Sequence, residues 1–127
     1  MEIKSQCPFC KLDSEREIVL ESENVHAIFD KFPVSKGHSL IIPKKHVSDY
    51  FQLNRSEQSE CWLMVNNIKQ ILDNKFNPDG YNIGINIMES AGQTVPHVHI
   101  HVIPRYKGDV KEPRGGVRGV IPAQQNY

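Results

Sequence analysis

Short apolar segments separated by turn residues predict five β-strands in this chain. Residues 17–22 and 25–30 form the first two, and the short turn between them predicts a hairpin. The third, residues 38–43, is almost continuously apolar, which is typical of a strand buried on both faces. The fourth covers residues 81–87, and the fifth, residues 96–104, contains a strict alternation of apolar and polar positions.

One long segment has helical periodicity instead. Its apolar side chains recur at helical spacing, at Cys61, Met64, Val65, Ile68, Ile71 and Leu72. We expect a helix over residues 56–75, with Asn54 or Ser56 as its N-cap and the Asn-Pro-Asp-Gly turn at 77–80 as its end. Cys61 belongs to the apolar stripe, so it is interpreted as a core residue and not as a reactive thiol. Five strands and one dominant helix predict an α+β fold.

Three of the six histidines alternate with apolar residues in the fifth predicted strand. Side chains two residues apart on a strand project from the same face, at a separation of roughly 6.5–7 Å. His97, His99 and His101 are therefore expected to line one wall of a site, while the residues between them pack into the core. Histidine serves as nucleophile, proton donor or metal ligand near neutral pH, which favours a chemical role over a merely polar strand face.

The charge balance restricts the classes of partner. The 127 residues contain 15 Lys and Arg and 15 Asp and Glu, a net charge of zero that argues against a nucleic-acid polymer as partner. Small phosphorylated ligands need only a local group of donors and remain compatible. The length predicts one domain, residues 1–127. No segment resembles a signal sequence or a membrane span, so we expect a cytoplasmic protein without a membrane partner.

A Cys-x-x-Cys pair, Cys7 and Cys10, lies close to the N-terminus. Such a pair can provide half of a zinc site, act as a redox pair, or have no special role. A redox pair is expected to follow a first strand, which residues 1–6 do not provide, whereas the histidines of the chain could complete a zinc site. The odd number of cysteines, three, favours a reducing compartment over a disulfide framework.

The sequence changes character after Arg105. Residues 113–127 form a Gly/Pro-rich tail without periodicity, which is typical of a solvated terminus. Arg114 and Arg118 lie among its glycines, and the alternative interpretation is that these arginines reach the phosphate oxygens of a ligand.

Several separated motifs together resemble the histidine-triad (HIT) family of nucleotide hydrolases and transferases. The family's His-φ-His-φ-His-φ-φ motif, in which φ is apolar, is complete at residues 97–103. Residues 91–95, Ala-Gly-Gln-Thr-Val, are similar to its phosphate loop, and residues 37–46 are similar to its segment ending in Ile-Pro-Lys-x-His. The chain is most similar to bacterial or archaeal members of the family. Within the family it resembles the diadenosine-polyphosphate hydrolases, because Pro-Arg at 104–105 and Gly-Asp at 108–109 follow the triad.

The resemblance implies a fold in which two subunits join their sheets as a homodimer. It also implies a hydrolase that attacks the α-phosphate of a dinucleoside polyphosphate and forms a covalent nucleotidyl-histidine. The middle histidine, His99, is the implied nucleophile. His101, Gln93 and Thr94 would contact the α-phosphate and the leaving oxygen, and Asn86 would support the same phosphate.

The same resemblance implies contacts at the nucleoside end of the substrate. Asp30 would accept hydrogen bonds from the ribose hydroxyls, and Phe29 and Ile28 would border an apolar base pocket. His38 is similar to the histidine that lies beneath the catalytic residues. Met88 is a departure, because the family often has a small residue before the phosphate loop, and we expect the bulkier side chain to affect substrate choice.

Some members of the family also bind zinc through four tetrahedral ligands. The corresponding residues of this chain are Cys7, Cys10, His46 and His97, and all four are present. A closed set of two cysteines and two histidines would make the zinc structural. Such a site would anchor the N-terminal segment beside the catalytic strand.

Two further functions are compatible with the same residues. The triad would also serve a nucleoside phosphoramidate or acyl-adenylate hydrolase. A nucleotide-binding regulatory module would keep the pocket but turn over little substrate. A hexose-1-phosphate uridylyltransferase is less compatible, because that branch of the family has glutamine at the third triad position and His101 is intact here.

Overall fold

Five antiparallel strands form a sheet in the computed structural model, which describes residues 6–12 and 16–127. The strands are β1 (Ile18–Glu21), β2 (Val25–Phe29), β3 (Ser39–Pro43), β4 (Gly80–Ile85) and β5 (Ile100–Arg105). Their order across the sheet is β1-β2-β3-β5-β4, and one long helix, α1 (Arg55–Phe76), connects β3 to β4. This arrangement confirms the predicted α+β fold. Neither α1 nor any shorter helix in the described ranges combines the length and the hydropathy of a transmembrane segment.

Asparagine residues lie at both ends of α1. Asn54 Oδ1 accepts a hydrogen bond from the Glu57 N–H (2.8 Å), and Glu57 Oε1 accepts one from the Asn54 N–H (2.8 Å). This reciprocal pair is a capping box, so Asn54 is the N-cap and Ser56 is not. At the other end, Asn77 adopts the left-handed conformation, with φ of 51°, and ends the helix.

The sheet is covered on both faces. The helix face buries Val25, Ala27, Ile41, Ile100 and Val102 against a stripe of α1 formed by Cys61, Met64, Val65, Ile68 and Leu72. The opposite face, called the site face below, buries a smaller cluster that includes the N-terminal segment: Cys7, Phe9, Ile28, Leu40 and Ile42. β3 is buried along its whole length, as its apolar sequence predicts. Burial raises the pKa of the Cys61 thiol to about 11, which agrees with a core role.

β5 begins at Ile100, later than the predicted start at residue 96. The backbone before it forms other hydrogen bonds: the His97 N–H donates to the Val95 carbonyl (2.8 Å), and the Val98 N–H donates to the Val47 carbonyl (2.9 Å). Because these groups do not bond to a neighbouring strand, a regular ladder does not extend over this part of the chain. The prediction is therefore wrong at the start of the strand. The other strand ends differ from the predicted ones by at most two residues.

The tail, residues 113–127, contains two short 3-10 turns instead of extending without structure. The Arg118 guanidinium donates to the Gln124 carbonyl oxygen (2.9 Å). The guanidinium groups of Arg114 and Arg118 also lie 5.3 and 4.5 Å from the ring centre of Tyr127. Both arginines therefore stabilise the tail itself, which argues against the interpretation that they bind ligand phosphates.

Candidate active site and metal site

A cavity of about 570 Å³ opens on the site face of the sheet. Six of the residues predicted for the site line it: Asp30, His38, Asn86, Thr94, His99 and His101. Its apolar part is formed by Pro8, Phe9, Phe32, Val34, Leu40 and Val95. The volume is within the range of small-molecule sites. An apolar wall next to a row of imidazoles suits a ligand with one flat apolar end and one charged end.

A backbone carbonyl fixes the tautomer of His99. Its Nδ1 lies 2.8 Å from the His97 carbonyl oxygen. A carbonyl oxygen can only accept, so we assign the proton to Nδ1 and the lone pair to Nε2. Burial lowers the pKa of His99 below its ordinary value, which keeps the ring neutral at neutral pH. A neutral imidazole held in one tautomer is a competent nucleophile.

A chain of hydrogen bonds fixes the opposite tautomer in His101. The Val34 N–H donates to His38 Nδ1 (3.1 Å), which places the proton of the His38 ring on Nε2. His38 Nε2 lies 2.9 Å from His101 Nδ1, so His101 Nδ1 accepts. His101 therefore carries its own proton on Nε2, where it can donate to a ligand. The Asp30 carboxylate, 3.3 Å from His38 Nε2, is a second acceptor for the His38 proton.

Both of these histidines are neutral. Burial, reinforced by the neighbouring His99 and His38 rings, lowers the pKa of His101 to about 4. Burial also lowers the pKa of His38, against the opposing effect of the Asp30 charge. His101 is thus a hydrogen-bond donor at neutral pH and not a fixed cation.

Three residues predicted for the site, and Met88, have other surroundings. The Gln93 amide is occupied at both ends, since its NH₂ donates to the Ser48 carbonyl (2.8 Å) and its Oε1 accepts from the Met88 N–H (2.8 Å). Ile28 is fully buried in the cluster of the site face, and Phe29 borders a separate depression. The Met88 side chain is half exposed and is not part of the cavity wall, so the expected effect on substrate choice has no direct contact to support it.

Four possible metal ligands converge next to Phe9. The Sγ atoms of Cys7 and Cys10 and the Nδ1 atoms of His46 and His97 all lie within 4.8 Å of one another. His97 Nδ1 is 3.4 Å from each sulfur and 3.2 Å from His46 Nδ1, and Cys10 Sγ is 3.0 Å from His46 Nδ1. Ligand atoms around a tetrahedral zinc ion, with bonds of about 2.0–2.3 Å, have spacings of this size.

The tautomer of His97 suits metal ligation. Its Nε2 lies 2.7 Å from the Pro43 carbonyl oxygen, so Nε2 donates and Nδ1 presents its lone pair to the sulfur atoms. Burial lowers the pKa of His97 to about 4, which keeps that lone pair free of a proton. Its side chain is completely buried and does not line the cavity. The expectation of one shared wall therefore holds for His99 and His101 and not for His97.

The family model of the HIT domain matches residues 11–108. The chain belongs to the HIT family. An uncharacterized HIT-like protein of Methanocaldococcus jannaschii is 40% identical over 108 residues, which are 81% of each chain. The bis(5'-adenosyl)-triphosphatase of Dictyostelium discoideum is 39% identical over 95 residues, which are 75% of this chain and 64% of the relative. The crystal structure of a Zn-bound histidine triad family protein from Mycobacterium smegmatis matches with a TM-score of 0.77 at 34% identity, covering 84% of this chain and 79% of that one.

The sequence pattern of this HIT protein does not reveal several residues of the cavity. Phe9 packs edge-on against His99, with ring centres 4.9 Å apart, and also against His97, one of the four possible metal ligands (6.1 Å). Lys11, Arg16 and Lys31 also line the cavity. Each is a single charged residue in a loop, and no local pattern distinguishes it from a solvated one; Phe9 is marked only by its place between the two cysteines.

We expect acid to destabilise the fold partly through His101. Its pKa is about 4 in the folded protein and near 6.5 when unfolded, so the unfolded chain binds more protons between these values. Stability is therefore lost as the pH falls below about 6.5, by about 2 kcal/mol at pH 5 from this residue. Urea titrations at neutral pH and at pH 5 should show that the free energy of unfolding of His101→Gln falls by about 2 kcal/mol less than that of the wild type. The same pH dependence in both proteins would contradict the buried neutral state of His101.

Proposed function

We propose that this HIT protein hydrolyses dinucleoside polyphosphates at the α-phosphate, with His99 as the nucleophile. The pairing of tautomers on one wall carries the proposal: His99 offers a lone pair at Nε2, and His101 offers a proton at Nε2. The two ring centres are 5.0 Å apart, so one phosphate group can contact both side chains. The relative named as a bis(5'-adenosyl)-triphosphatase supports this class of substrate.

The reaction consists of two displacements at the α-phosphorus. First, His99 Nε2 forms a bond to phosphorus, and the bond from phosphorus to the bridging oxygen of the leaving group breaks. Second, the oxygen of a water molecule forms a bond to the same phosphorus, and the bond from phosphorus to His99 breaks. The proton that the water loses goes to the α-phosphate of the nucleotide released in this step. Forming a covalent intermediate replaces one difficult step by two easier ones.

The hydrogen bonds of the two histidines favour this route. The His99 ring becomes positively charged when Nε2 is bound to phosphorus, and its Nδ1–H then makes a stronger, charge-assisted bond to the His97 carbonyl. The His101 Nε2–H stabilises the negative charge that accumulates on the phosphate oxygens and the leaving oxygen.

The other cavity residues are proposed to bind and orient the nucleotide. Asp30 accepts hydrogen bonds from the ribose hydroxyls, and Asn86 and Thr94 contact the α-phosphate. Gln93, whose amide bonds to Ser48 and to residue 88, holds the loop that carries Thr94. We assign Gln93 a positioning role at that loop in place of a direct phosphate contact.

The apolar wall is proposed to receive the base. Phe9 and Leu40 line the cavity directly, whereas Ile28, which is opposite Leu40 on the neighbouring strand, is fully buried in the same cluster. Phe29 borders the neighbouring depression and precedes Asp30 directly in the chain, so its role is to position Asp30. We therefore propose that Phe9 and Leu40 contact the base, in place of the Ile28 and Phe29 that the family resemblance indicated.

Replacing the nucleophile tests the mechanism. We expect His99→Ala to lower kcat/KM for diadenosine tetraphosphate by about a thousandfold or more, because no other group can form the covalent intermediate. The dissociation constant for AMP should change little. His101→Ala should cause a smaller loss that grows as the leaving group becomes poorer, from the polyphosphate to an adenosine phosphoramidate. Steady-state kinetics and trapping of a nucleotidyl adduct on the wild type provide the measurements.

The same panel separates the alternatives. Turnover of the phosphoramidate alone would assign the phosphoramidate hydrolase function. Nucleotide binding by the wild type without turnover of any substrate would assign the regulatory module. Near-normal hydrolysis by His99→Ala, with an unchanged melting temperature, would contradict the role of His99 itself.

We propose that Cys7, Cys10, His46 and His97 hold one structural zinc ion. Two thiolates and two imidazoles occupy all four tetrahedral positions, which leaves none for a substrate. The Zn-bound histidine triad neighbour supports the choice of metal. Thiolate ligands persist in a reducing compartment, so we also propose a cytoplasmic location.

The zinc proposal predicts about one zinc ion per subunit by elemental analysis. Cys10→Ser should lose the metal and lower the melting temperature by about 5 °C or more, because metal-binding energy contributes to folding. Cys61→Ala is the matched control: it removes the cysteine of the helix core and should keep the zinc content. Well under one zinc per subunit, together with no effect of a chelator on melting, would contradict the proposal.

We propose a homodimer joined through β4. This strand is at the edge of the sheet and pairs only with β5, so its outer backbone groups lack a partner strand in the described part of the chain. Both β4 and α1 expose apolar side chains: Ile83 on β4 (36%) and Trp62 and Leu63 on α1 (40% and 58%). Tyr81 of β4 donates to Asp73 of α1 (2.7 Å), so the two elements adjoin.

Light scattering on the purified protein should give twice the mass of the chain. Ile83→Lys should shift the protein to the monomer, because a charge in the apolar contact is not compensated. Ile18→Lys is the matched control, since Ile18 is 41% exposed on β1 at the opposite edge of the sheet and should leave the mass unchanged. A monomeric wild type, or equal effects of both substitutions, would contradict dimerisation through β4.

A further inference from the structure

Cationic side chains line the catalytic cavity without a role in the proposed attack. They are Lys11, Arg16 and Lys31, whereas Asp30 is the one acidic residue among the described residues of the wall. The whole chain has a formal net charge of zero, so this excess of positive charge is local to the cavity. Two of these cations lie beside Asp30. Lys31 follows Asp30 in sequence, and Arg16 donates to the carbonyl of Phe29, the residue before Asp30.

Arg16 is the better fixed of these groups. Its terminal nitrogen donates to the Phe29 carbonyl oxygen (3.2 Å), and the side chain is half-buried. A guanidinium has five N–H donors, so this single bond leaves most of them available to an anion. Among the described residues, the ion pairs do not include Arg16. Guanidinium groups bind phosphate oxygens well because two parallel donors match two oxygens.

Lys11 is the second such group. It follows the Cys-x-x-Cys segment directly, is exposed, and has no carboxylate partner within the described ranges. The cluster of Cys7, Cys10, His46 and His97 holds the segment that carries Lys11 against the site face. A flexible ammonium at this place can follow an anion that Arg16 already binds.

The α-phosphate does not need these cations. Under the proposed function it contacts His99, His101, Asn86 and Thr94, while Arg16 and Lys31 lie beside Asp30, at the ribose end of the cavity. A ligand with a single phosphate would therefore leave Arg16 and Lys11 without an anion. A second phosphate group on the same nucleotide would supply one.

We propose that Arg16 and Lys11 form an anion subsite that binds a second phosphate of the nucleotide, distinct from the α-phosphate that His99 attacks. This inference rests on the proposed function for the placement of the α-phosphate. The second phosphate has two chemical sources: the polyphosphate chain, or a phosphate on the ribose hydroxyls near Asp30. The subsite makes the protein selective for nucleotides that carry a second phosphate group in addition to the α-phosphate.

Calorimetry on full-length protein that carries His99→Ala, which prevents turnover, tests the subsite. The probes are AMP, adenosine 3',5'-bisphosphate and diadenosine tetraphosphate. We expect Arg16→Met and Lys11→Met each to weaken binding of one or both of the last two ligands by about five- to tenfold at low salt, and of AMP by less than about twofold. A loss for adenosine 3',5'-bisphosphate indicates a second phosphate on the ribose, and a loss for diadenosine tetraphosphate indicates one in the polyphosphate.

Matched controls separate contact from general charge. Arg55→Met and Lys107→Met remove exposed cations that do not line the cavity and should leave all three affinities unchanged. Arg16→Lys keeps the charge and should retain most of the selectivity. Raising the salt concentration should reduce the difference between the wild type and the variants, because the contacts are partly exposed.

Equal losses for AMP and the other two ligands, or no loss for any of them, would overturn the subsite. Kinetics of the same variants with His99 intact distinguish this failure from failure of the proposed function. Turnover with unchanged selectivity would overturn the subsite alone. Selective binding without turnover would keep the subsite and overturn the hydrolase. Neither binding nor turnover would overturn both.

Discussion

The hydrogen bond from His99 Nδ1–H to the His97 carbonyl is the interaction on which the site depends. It fixes the tautomer of the proposed nucleophile, and its acceptor belongs to a residue whose side chain is one of the four possible metal ligands. The His97 ring is itself held by the Pro43 carbonyl through Nε2 (2.7 Å). Any displacement of residue 97 would therefore change the arrangement of the possible metal ligands and the orientation of His99 together. This is possible because the chain around residue 97 is outside the β-ladder, which leaves a carbonyl for a side-chain donor.

Burial gives the two cavity histidines their complementary states. Removing them from water disfavours the charged form of each ring, so both are neutral, and their tautomers then depend only on hydrogen-bond partners. The partner of His99 is a backbone acceptor, whereas the partner of His101 is His38, which receives a proton-fixing bond from the Val34 N–H. A lone pair and a proton on adjacent rings follow from these two different supports. The cost is sensitivity to acid, since each neutral buried ring favours unfolding once the pH falls below about 6.5.

The two faces of the sheet have separate tasks. The helix face buries most of the apolar core, and its packing against α1 determines where the strands lie. The site face is covered mainly by the N-terminal segment, which has few apolar residues of its own. The cluster of two cysteines and two histidines holds that segment in place, and with it Phe9 and Lys11 of the cavity wall. A metal ion there would stabilise the cavity without taking part in the reaction.

The sequence by itself determined the features that depend on local periodicity and residue type. Continuous apolar runs and alternation predicted five strands, and helical spacing predicted α1 to within one residue at each end. The triad motif and its companions indicated the histidines and the four possible metal ligands. Tertiary structure decided what each of these residues contacts. Cys7 and His97 are separated by 90 positions in sequence, and Gln93 bonds to a carbonyl at residue 48, so no local pattern contains these contacts. The orientation of His97, the tautomers and the cations beside Asp30 depend on hydrogen-bond partners and charges that meet only in the folded chain.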